Sequence, residues 1–315
     1  MKKTISLQAT ITELQHHMRL DAAISQLFSE YSRNQLQHWI KQGDVCVNKI
    51  CEKKPRKAVM TGDIIEIEAP LTETVTYTGQ DIPLSIVYED EYIIVINKPV
   101  GLIVHPGAGN PDQTLVNALL HYSPDLNAVP RAGVVHRLDK DTSGLLVIAR
   151  TLVMHNALIR AMQQRKIHRE YRALVQGQMI SGGTVDAPMA RHPNQRTKMA
   201  VVESGREAVT HYRVLSRFKA HTLLTVQLET GRTHQIRVHL AHIGYPILGD
   251  KTYGKHRFYP QLSDTAKEAV QNFGHQALHA YRLALTNPLT GENHEWTAPL
   301  PEDFENVVTV LQQDI

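Results

Sequence analysis

The chain has 315 residues, of which 42% are hydrophobic and 21% are charged, with a net charge of +3 and a pI near 8.7. This composition is ordinary for a globular protein, and the weak positive charge does not by itself identify a nucleic-acid partner. No apolar run approaches the ~20 residues of a membrane span, and no apolar segment typical of a signal peptide follows the first residues. We expect a cytoplasmic protein with one large and one small domain, or with two domains of medium size.

The two cysteines, Cys46 and Cys51, lie close together in one basic stretch. Two thiols cannot form a disulfide framework for a chain of this size, and no cluster of histidines and cysteines accompanies them. We therefore expect reduced thiols in a cytoplasmic setting.

The first predicted domain spans residues 1–69 and combines helices with short strands. Apolar residues at helical spacing and alternating segments predict these elements: a helix over 20–28, a second helix capped by Ser32 and ended by Gly43, and strands around 45–47 and 64–67. Residues 70–84 lack a long apolar run and are predicted to form a linker.

The second predicted domain spans residues 85–315. Its predicted strands lie at 86–88, 92–96, 145–149, 170–176, 208–216 and 222–229. Its predicted helices lie at 115–121, 153–165, 234–243 and 301–313. Strands and helices follow one another without regular alternation, which indicates an α+β fold on an antiparallel or mixed sheet. Residues 251–275 are polar and are predicted to form a surface insertion.

The segment GVVHRLDKDTSGLLVIAR, residues 133–150, is the most informative part of the chain. It places His136, Arg137 and Asp139 between two apolar runs, and the second run predicts a buried strand. Asp139 is thereby fixed at the mouth of a β core, and Arg137 points the same way in an extended segment. A carboxylate held beside a cation stays ionised and can act as a nucleophile.

This segment resembles the H-R-L-D-x-x-T-S/T-G signature of the RluA/RluD-type RNA pseudouridine synthases. Further segments resemble other blocks of the family in the same order, within residues 84–300: Asn97–Pro99, His105–Gly107, Arg169–Tyr171 and Thr230–His239. The resemblance implies an isomerase that converts uridine to pseudouridine without a metal, nucleotide or redox cofactor. The string HPGAGNPD at 105–112 is similar to the branch that modifies large-subunit (23S) rRNA, which implies helix 69 as the target and rRNA or an assembling subunit as the partner. We expect a monomer with no membrane partner.

The resemblance also implies roles for single residues. Asp139 would be the catalytic carboxylate, and Arg237 would pair with it and keep it ionised. Tyr171 would stack on the uracil and could take the proton released during isomerisation. Arg137 would fill the gap left by the extruded base. The resemblance leaves open whether Asp139 attacks the ribose, attacks the base or promotes a glycal.

The first domain resembles the S4 RNA-binding module in its Arg19-Leu20-Asp21 and Ser32-Arg33 segments. Between residues 49 and 57, five cations stand against one acid, and a basic run on such a module is expected to follow phosphates. The predicted RNA contacts of both domains are Arg33, Lys53, Lys54, Arg56, Lys57, His136 and Arg232.

Other interpretations of the sequence lead to different classes of function. The same chemistry on tRNA or on another rRNA site is one, because neighbouring branches share the catalytic blocks. A non-catalytic RNA-binding ribosome-assembly factor is another, but it would not need the catalytic residues intact. A hydrolase that releases uracil would need a second carboxylate, for which Asp141 is the candidate. A zinc site at His234, His239 and His242 is disfavoured, because their spacing does not place all three on one helical face.

Overall fold

A computed structural model describes residues 4–28, 31, 33–70, 77–107, 109–195, 197–254 and 259–314, with the side chain of Asn34 left out. The chain divides into two compact units, Met1–Thr76 and Tyr77–Ile315. No helix in the described ranges is long and apolar enough to cross a membrane.

The first unit is a small α+β domain. Its elements are strands β1 (Thr4–Thr10), β2 (Val45–Val47), β3 (Ile50–Cys51) and β4 (Ile64–Pro70), helices α1 (Leu20–Leu27) and α2 (Arg33–Gln42), and a 3-10 turn at Glu13–Gln15. The strands pair antiparallel in the order β1-β4-β2-β3. Both predicted helices are confirmed, while the predicted N-cap Ser32 lies outside the described residues. β1 was not predicted, although its apolar and polar residues alternate along the strand.

The two cysteines form a disulfide, which contradicts the expectation of reduced thiols. Cys46 and Cys51 lie directly opposite each other in the β2–β3 hairpin, with Cα atoms 3.8 Å apart. The hairpin register brings the two sulfur atoms together, and sequence spacing alone does not reveal that register.

The predicted linker is shorter in the structure than in the sequence prediction of 70–84. Pro70 ends strand β4. Tyr77 and Leu84 pack against the core of the second unit, and the side-chain amide of Asn117 donates to the carbonyl of Thr78 at 2.9 Å. Of the predicted linker, residues 71–76 lie outside the described residues.

The second unit is a larger α+β domain built on a nine-stranded mixed sheet. Its strands are β5 (Ile86–Glu89), β6 (Ile93–Lys98), β7 (Ser143–Ala149), β8 (Ile167–Gln176), β9 (Gly183–Asp186), β10 (Met189–Arg191), β11 (Met199–Val201), β12 (Val209–Arg217), β13 (His221–Leu228), β14 (Leu278–Thr286) and β15 (Asn293–Thr297). Its helices are α3 (Leu115–Tyr122), α4 (Leu152–Gln163), α5 (Gln235–His242), α6 (Asp264–Asn272) and α7 (Glu302–Gln313), with 3-10 turns at Pro124–Ala128 and Pro130–Gly133.

The large sheet has the strand order β5-β6-β7-β14-β8-β13-β12-β9, with β15 paired to β14, and β10 and β11 form a separate pair. Strand β14 runs parallel to β7 and antiparallel to its other neighbours, which confirms a mixed sheet. β14 and β15 were not predicted as strands.

The central strands β6 and β7 are buried on both faces, which explains their continuous apolar runs. Ile94 and Leu146 belong to the larger hydrophobic cluster on one face, while Val95 and Val147 belong to a second cluster with α4 on the other. Side chains alternate across a strand, so a strand covered on both sides needs apolar residues at every position.

The segment 251–275 is more ordered than the predicted surface insertion. Its second half contains α6, and Ala266 and Val270 of this helix are buried with Leu262 and Phe273 in the main core. The prediction was wrong because α6 is short and only a few of its residues are apolar, so its sequence shows no clear helical periodicity of apolar residues.

Candidate active site

Asp139 lies in a tight turn immediately before β7. The carbonyl of Asp139 accepts a hydrogen bond from the backbone N–H of Thr142 at 3.1 Å. The buried Lys98 ammonium, at the end of β6, donates to the carbonyl of the next residue, Lys140, at 3.0 Å. Gly144, at φ +109°, then enters β7 where a Cβ would lie 2.3 Å from the Ala280 carbonyl. The turn is therefore held by contacts from two neighbouring strands.

The Asp139 carboxylate is paired with Arg237, as the sequence predicts. Arg237 Nη1 donates to Asp139 Oδ2 at 2.9 Å, and the two side chains are 7% and 17% exposed. Arg237 also donates through Nε and Nη2 to the fully buried Asp250, at 2.7 and 2.9 Å. One guanidinium thus joins two carboxylates, and only the Asp139 carboxylate reaches the cavity.

Electrostatics favour the charged form of both members of the buried Arg237–Asp250 pair. Burial by itself would lower the pKa of Arg237, but the hydrogen bonds and charge of Asp250 together with the charge of Asp139 raise it. Burial would likewise raise the pKa of Asp250, and the hydrogen bonds and charge of Arg237 lower it instead. Arg237 is therefore a permanent cation next to Asp139.

A second donor, His234, faces the same carboxylate. Its Nε2 lies 3.8 Å from Asp139 Oδ1, and its Nδ1 lies 2.8 Å from the Tyr253 hydroxyl. His234 has a left-handed backbone, φ +58°, at the start of α5. Burial is the main cause that lowers the pKa of His234, so the imidazole is neutral at pH 7.

The loop before α5 is held by one buried amide, Gln235. Its oxygen accepts from the hydroxyl of Thr230 at 2.8 Å and from the backbone N–H of Arg232 at 2.9 Å. Its NH₂ group donates to the carbonyl of Val209 and the hydroxyl of Thr210, each at 3.0 Å. With both ends of this amide bonded, His234 and Arg237 are carried on a rigid support.

Tyr171 lies on the central strand β8 and lines the same cavity. Its side chain is buried, and burial raises the pKa of its phenol, with the Asp139 charge adding to the effect. The hydroxyl therefore stays protonated at neutral pH. A buried, neutral ring suits stacking against a flat base, and the hydroxyl can accept a proton only if it gives up its own.

The cavity has a volume of about 840 Å³, which is large enough to admit a nucleoside. Asp139, Tyr171 and Arg237 line it together. Its walls carry further cations from several elements, namely Arg131, Arg137, Arg165, Arg169 and Arg232. Arg165 is paired with Glu207 and Glu229, whereas Arg137 is exposed at the rim.

His136 is half-buried, lines the cavity and is anchored through one ring nitrogen. Its Nε2 accepts a hydrogen bond from the backbone N–H of Val147 at 3.2 Å, and its buried Nδ1 has no partner among the described residues. Burial lowers the pKa of His136 to about 3, so the ring is neutral. The structure therefore assigns it to anchoring the Asp139 segment against β7.

Two other histidines can be placed as well. His105 lines the cavity, and burial, followed by the charges of Arg131 and Arg137, lowers the pKa of His105 to about 4. His239 is buried and bonds to Thr210 Oγ1 at 2.9 Å and to a backbone carbonyl at 3.0 Å. Both nitrogens of His239 are thus engaged in hydrogen bonds. Among the described residues no group of three or more potential metal ligands is found.

The first unit carries its own ionic cluster around the fully buried Asp21. This carboxylate accepts two hydrogen bonds from Arg19, two from Arg33 and one from Gln37. Arg19 and Arg33 are 45% and 50% exposed. The hydrogen bonds of Arg19, Gln37 and Arg33 outweigh the effect of burial and lower the pKa of Asp21.

The predicted basic run lies against the same helix end. The backbone N–H groups of Leu20 and Asp21 donate to the carbonyls of Lys57 and Pro55 at 2.7 and 3.0 Å, which joins the run to the first turn of α1. Lys57 is paired with Glu52 at 2.8 Å. The exposed members of the run are Lys49, Lys53, Lys54 and Arg56.

Asp250, Tyr253 and His234 were not predicted as site residues. His234 was considered only as a zinc ligand, Tyr253 fell within the predicted surface insertion at 251–275, and Asp250 directly precedes that segment. Their role depends on a turn that folds back onto α5, and neither spacing nor composition reveals such a contact.

The chain belongs to the RNA pseudouridine synthase family, and it is therefore an isomerase of uridine in RNA. Residues 92–242 match the family model described as RNA pseudouridylate synthase, and residues 18–65 match the S4 domain.

Within the family, the curated relatives match over almost the whole length. The chain is 50% identical to ribosomal large subunit pseudouridine synthase D of Escherichia coli O6:H1, over all of this chain and 97% of the relative. It is also 50% identical to the protein of the same name from Haemophilus influenzae, over 98% and 96%. Among solved structures, human RNA pseudouridylate synthase domain containing 4 aligns with a TM-score of 0.57 and 30% identity, over 72% of this chain and 93% of that one.

Proposed function

We propose that this enzyme isomerises uridines of large-subunit (23S) rRNA in helix 69, with Asp139 as the catalytic carboxylate. The observation that carries the proposal is the Asp139 carboxylate, which Arg237 holds at the wall of the cavity that Tyr171 also lines. The choice of large-subunit rRNA rests on the relatives, which are named for that substrate and match the full chain.

The chain's own residues account for the steps that the reaction requires. Arg137, at the rim, takes the place of the flipped uridine in the RNA, which offsets part of the few kcal/mol that flipping costs. Tyr171 stacks on the base inside the cavity. Asp139, ionised beside Arg237, supplies the carboxylate that the cleavage of the bond from C1′ to the base nitrogen needs. The base then rotates and rejoins C1′ through C5, so C5 loses its proton and N1, which has lost its bond to the ribose, gains one. The Tyr171 hydroxyl is the proposed carrier, accepting the C5 proton as it gives up its own, so that no net proton is consumed.

The S4 unit supplies RNA affinity without chemistry. Arg33, Lys53, Lys54 and Arg56 are exposed or half-exposed cations with no catalytic carboxylate among them. Such contacts bind phosphates through counterion release and tolerate many sequences.

The carboxylate assignment is tested with Asp139→Asn, which keeps the shape and removes the charge. We expect no pseudouridine in a helix 69 fragment of rRNA, while RNA binding stays within about twofold because phosphate contacts carry it. Asp141→Asn is the matched control, since Asp141 lies in the same turn and should keep the activity. Turnover near wild type in Asp139→Asn would refute the assignment.

The substrate is tested by mapping pseudouridine in rRNA from cells with and without the protein, with a reagent that marks pseudouridine alone. Loss of signals in helix 69 supports the proposal. Loss elsewhere, in tRNA or at another rRNA site, would contradict the proposed target and leave the chemistry intact.

A further inference from the structure

One turn of the second unit, residues 249–254, contacts both side chains that face Asp139. Asp250 binds Arg237, and Tyr253 binds His234. The turn itself is fixed at Gly249, which has φ +72°, and a Cβ there would lie 1.9 Å from a neighbouring carbonyl oxygen. It follows α5 in the chain and returns to the start of that helix.

Asp250 determines how the Arg237 guanidinium is oriented. Its two oxygens accept from Nε and Nη2, which leaves Nη1 for Asp139 at 2.9 Å. A planar guanidinium held by two parallel bonds cannot rotate about its last torsion without breaking both. The backbone N–H groups of Thr252 and Tyr253 donate to Asp250 Oδ1 at 2.9 and 3.1 Å, so the turn also orients the carboxylate.

Tyr253 determines which nitrogen of His234 carries the proton. The Tyr253 hydroxyl accepts from the backbone N–H of Met199 at 2.9 Å and lies 2.8 Å from His234 Nδ1. Because Met199 already donates to this oxygen, we assign the Tyr253 O–H as the donor to Nδ1, which places the ring proton of His234 on Nε2. That N–H points toward Asp139, but 3.8 Å is too long for a hydrogen bond. The donor is thus open to an oxygen of the bound uridine.

We propose that Asp250 and Tyr253 are positioning residues for the isomerisation, acting through Arg237 and His234 respectively. Asp250 keeps the guanidinium aimed at the catalytic carboxylate, and Tyr253 keeps the Nε2–H of His234 aimed at the substrate beside it. This inference rests on the proposed role of Asp139.

Double-mutant cycles test the two pathways in the full-length protein with an rRNA fragment as substrate. Asp250→Asn should lower the single-turnover rate by about 10- to 100-fold through misplacement of Arg237, with RNA affinity unchanged. In an Arg237→Met background the same substitution should lower the rate by less than about threefold, because the side chain it orients is gone. The corresponding cycle pairs Tyr253→Phe with His234→Gln. Thr252→Ala is the control, since the backbone N–H of Thr252 is retained.

A spectroscopic measurement makes the test independent of activity. The ¹⁵N shifts of His234, identified by their loss in His234→Gln, should show the Nε2–H tautomer in the wild type and a mixture in Tyr253→Phe. Equal losses of rate in both backgrounds, or an unchanged tautomer, would overturn the proposal. An active Asp139→Asn variant would instead refute the proposed function, while the tautomer result would still stand.

Discussion

The two units carry ionic clusters of opposite composition. In the S4 unit, one buried carboxylate, Asp21, binds two half-exposed arginines. In the synthase unit, one buried arginine, Arg237, binds two carboxylates. The first cluster has a surplus of positive charge at the surface, and the second has a surplus of negative charge that reaches a cavity.

This difference indicates that an arginine–aspartate cluster suits binding or chemistry according to which charge is in surplus. A surplus guanidinium at the surface is hydrated and available to a phosphate, which suits binding. A surplus carboxylate at a cavity wall, held by a cation it shares, is suited to chemistry. The loss of stability when the central ion of a cluster is removed depends on how deeply the remaining charges are buried, because a charge left in the interior cannot be hydrated.

The largest expected difference between the units is in their response to acid. Burial lowers the pKa of His221 and of His279 to about 4, and both belong to the synthase unit. The pKa of a histidine in the unfolded chain is near ~6.5, and above that pH a depressed pKa in the folded state does not affect the free energy of unfolding. As the pH falls below this value, the unfolded chain binds the proton first, so the folded state loses stability. Each would destabilise the synthase unit by about 3 kcal/mol at pH 4.

Asp21 of the S4 unit responds at lower pH. The pKa of Asp21 is lower in the folded state than in the unfolded chain. The ionised carboxylate therefore stabilises the unit fully above the unfolded pKa, and this stabilisation is lost as the pH falls through the folded pKa. The two tryptophans lie in different units, so Trp296→Phe leaves Trp39 to report on the S4 unit, and Trp39→Phe leaves Trp296 for the other. We expect the fluorescence of Trp296 to change at the higher pH.

His221→Phe sharpens this acid test by removing one titrating ring while keeping its packing against Tyr259. It should shift the acid midpoint of the synthase unit downward. The exposed His242→Phe should leave that midpoint unchanged. Coincident transitions of the two tryptophans would contradict the predicted order.

The next largest effect is expected from Arg237→Met, which leaves the buried Asp250 without a cation, although the backbone N–H groups of Thr252 and Tyr253 still donate to it. Removing one member of a buried pair costs about 3–5 kcal/mol, so the free energy of unfolding of the synthase unit should fall by that amount. Arg237→Met/Asp250→Leu removes both charges and should recover most of the stability but not the activity. Denaturant melts followed by Trp296 fluorescence measure the first quantity and a pseudouridine assay the second. A double variant no more stable than the single would argue against the buried pair as the cause.

A smaller effect is expected from Asp21→Asn in the S4 unit. The two arginines left behind are half-exposed and can be hydrated, so the loss of stability should be about 1–2 kcal/mol. RNA affinity should fall because the guanidiniums lose their fixed positions. Glu68→Gln removes the same charge from an exposed site of this unit and is the matched control. If Asp21→Asn lowered the free energy of unfolding as much as Arg237→Met does, burial of the charges left behind would not be what determines the loss.

The smallest expected change concerns salt dependence. Each phosphate contact contributes about −0.7 to −0.9 to the slope of log affinity against log salt. Replacing Lys53, Lys54 and Arg56 by glutamine should flatten the slope by about 2 while the rate at saturating enzyme is retained. Lys57→Gln should change it less, because Lys57 is already paired with Glu52. An unchanged slope in the triple variant would show that these three side chains do not contact RNA phosphates.

The sequence alone predicted the candidate catalytic side chains, through the resemblance of the run around Asp139 to a family signature, and most of the elements that carry them. The apolar runs of β6 and β7 predicted the buried strands because both of their faces are covered. The Asp139–Arg237 pair was also predicted, and the structure confirms it at 2.9 Å.

Only the tertiary structure decided which groups support that pair. Tyr253 was predicted to lie in a surface insertion, Asp250 directly before it was given no role, and the apolar stripe of α6 in the same insertion was not recognised because its outer face is polar. The disulfide between Cys46 and Cys51 depends on a hairpin register. These features arise from contacts between segments that fold back on one another, and such contacts leave no periodic pattern in the sequence because one or two side chains make each of them.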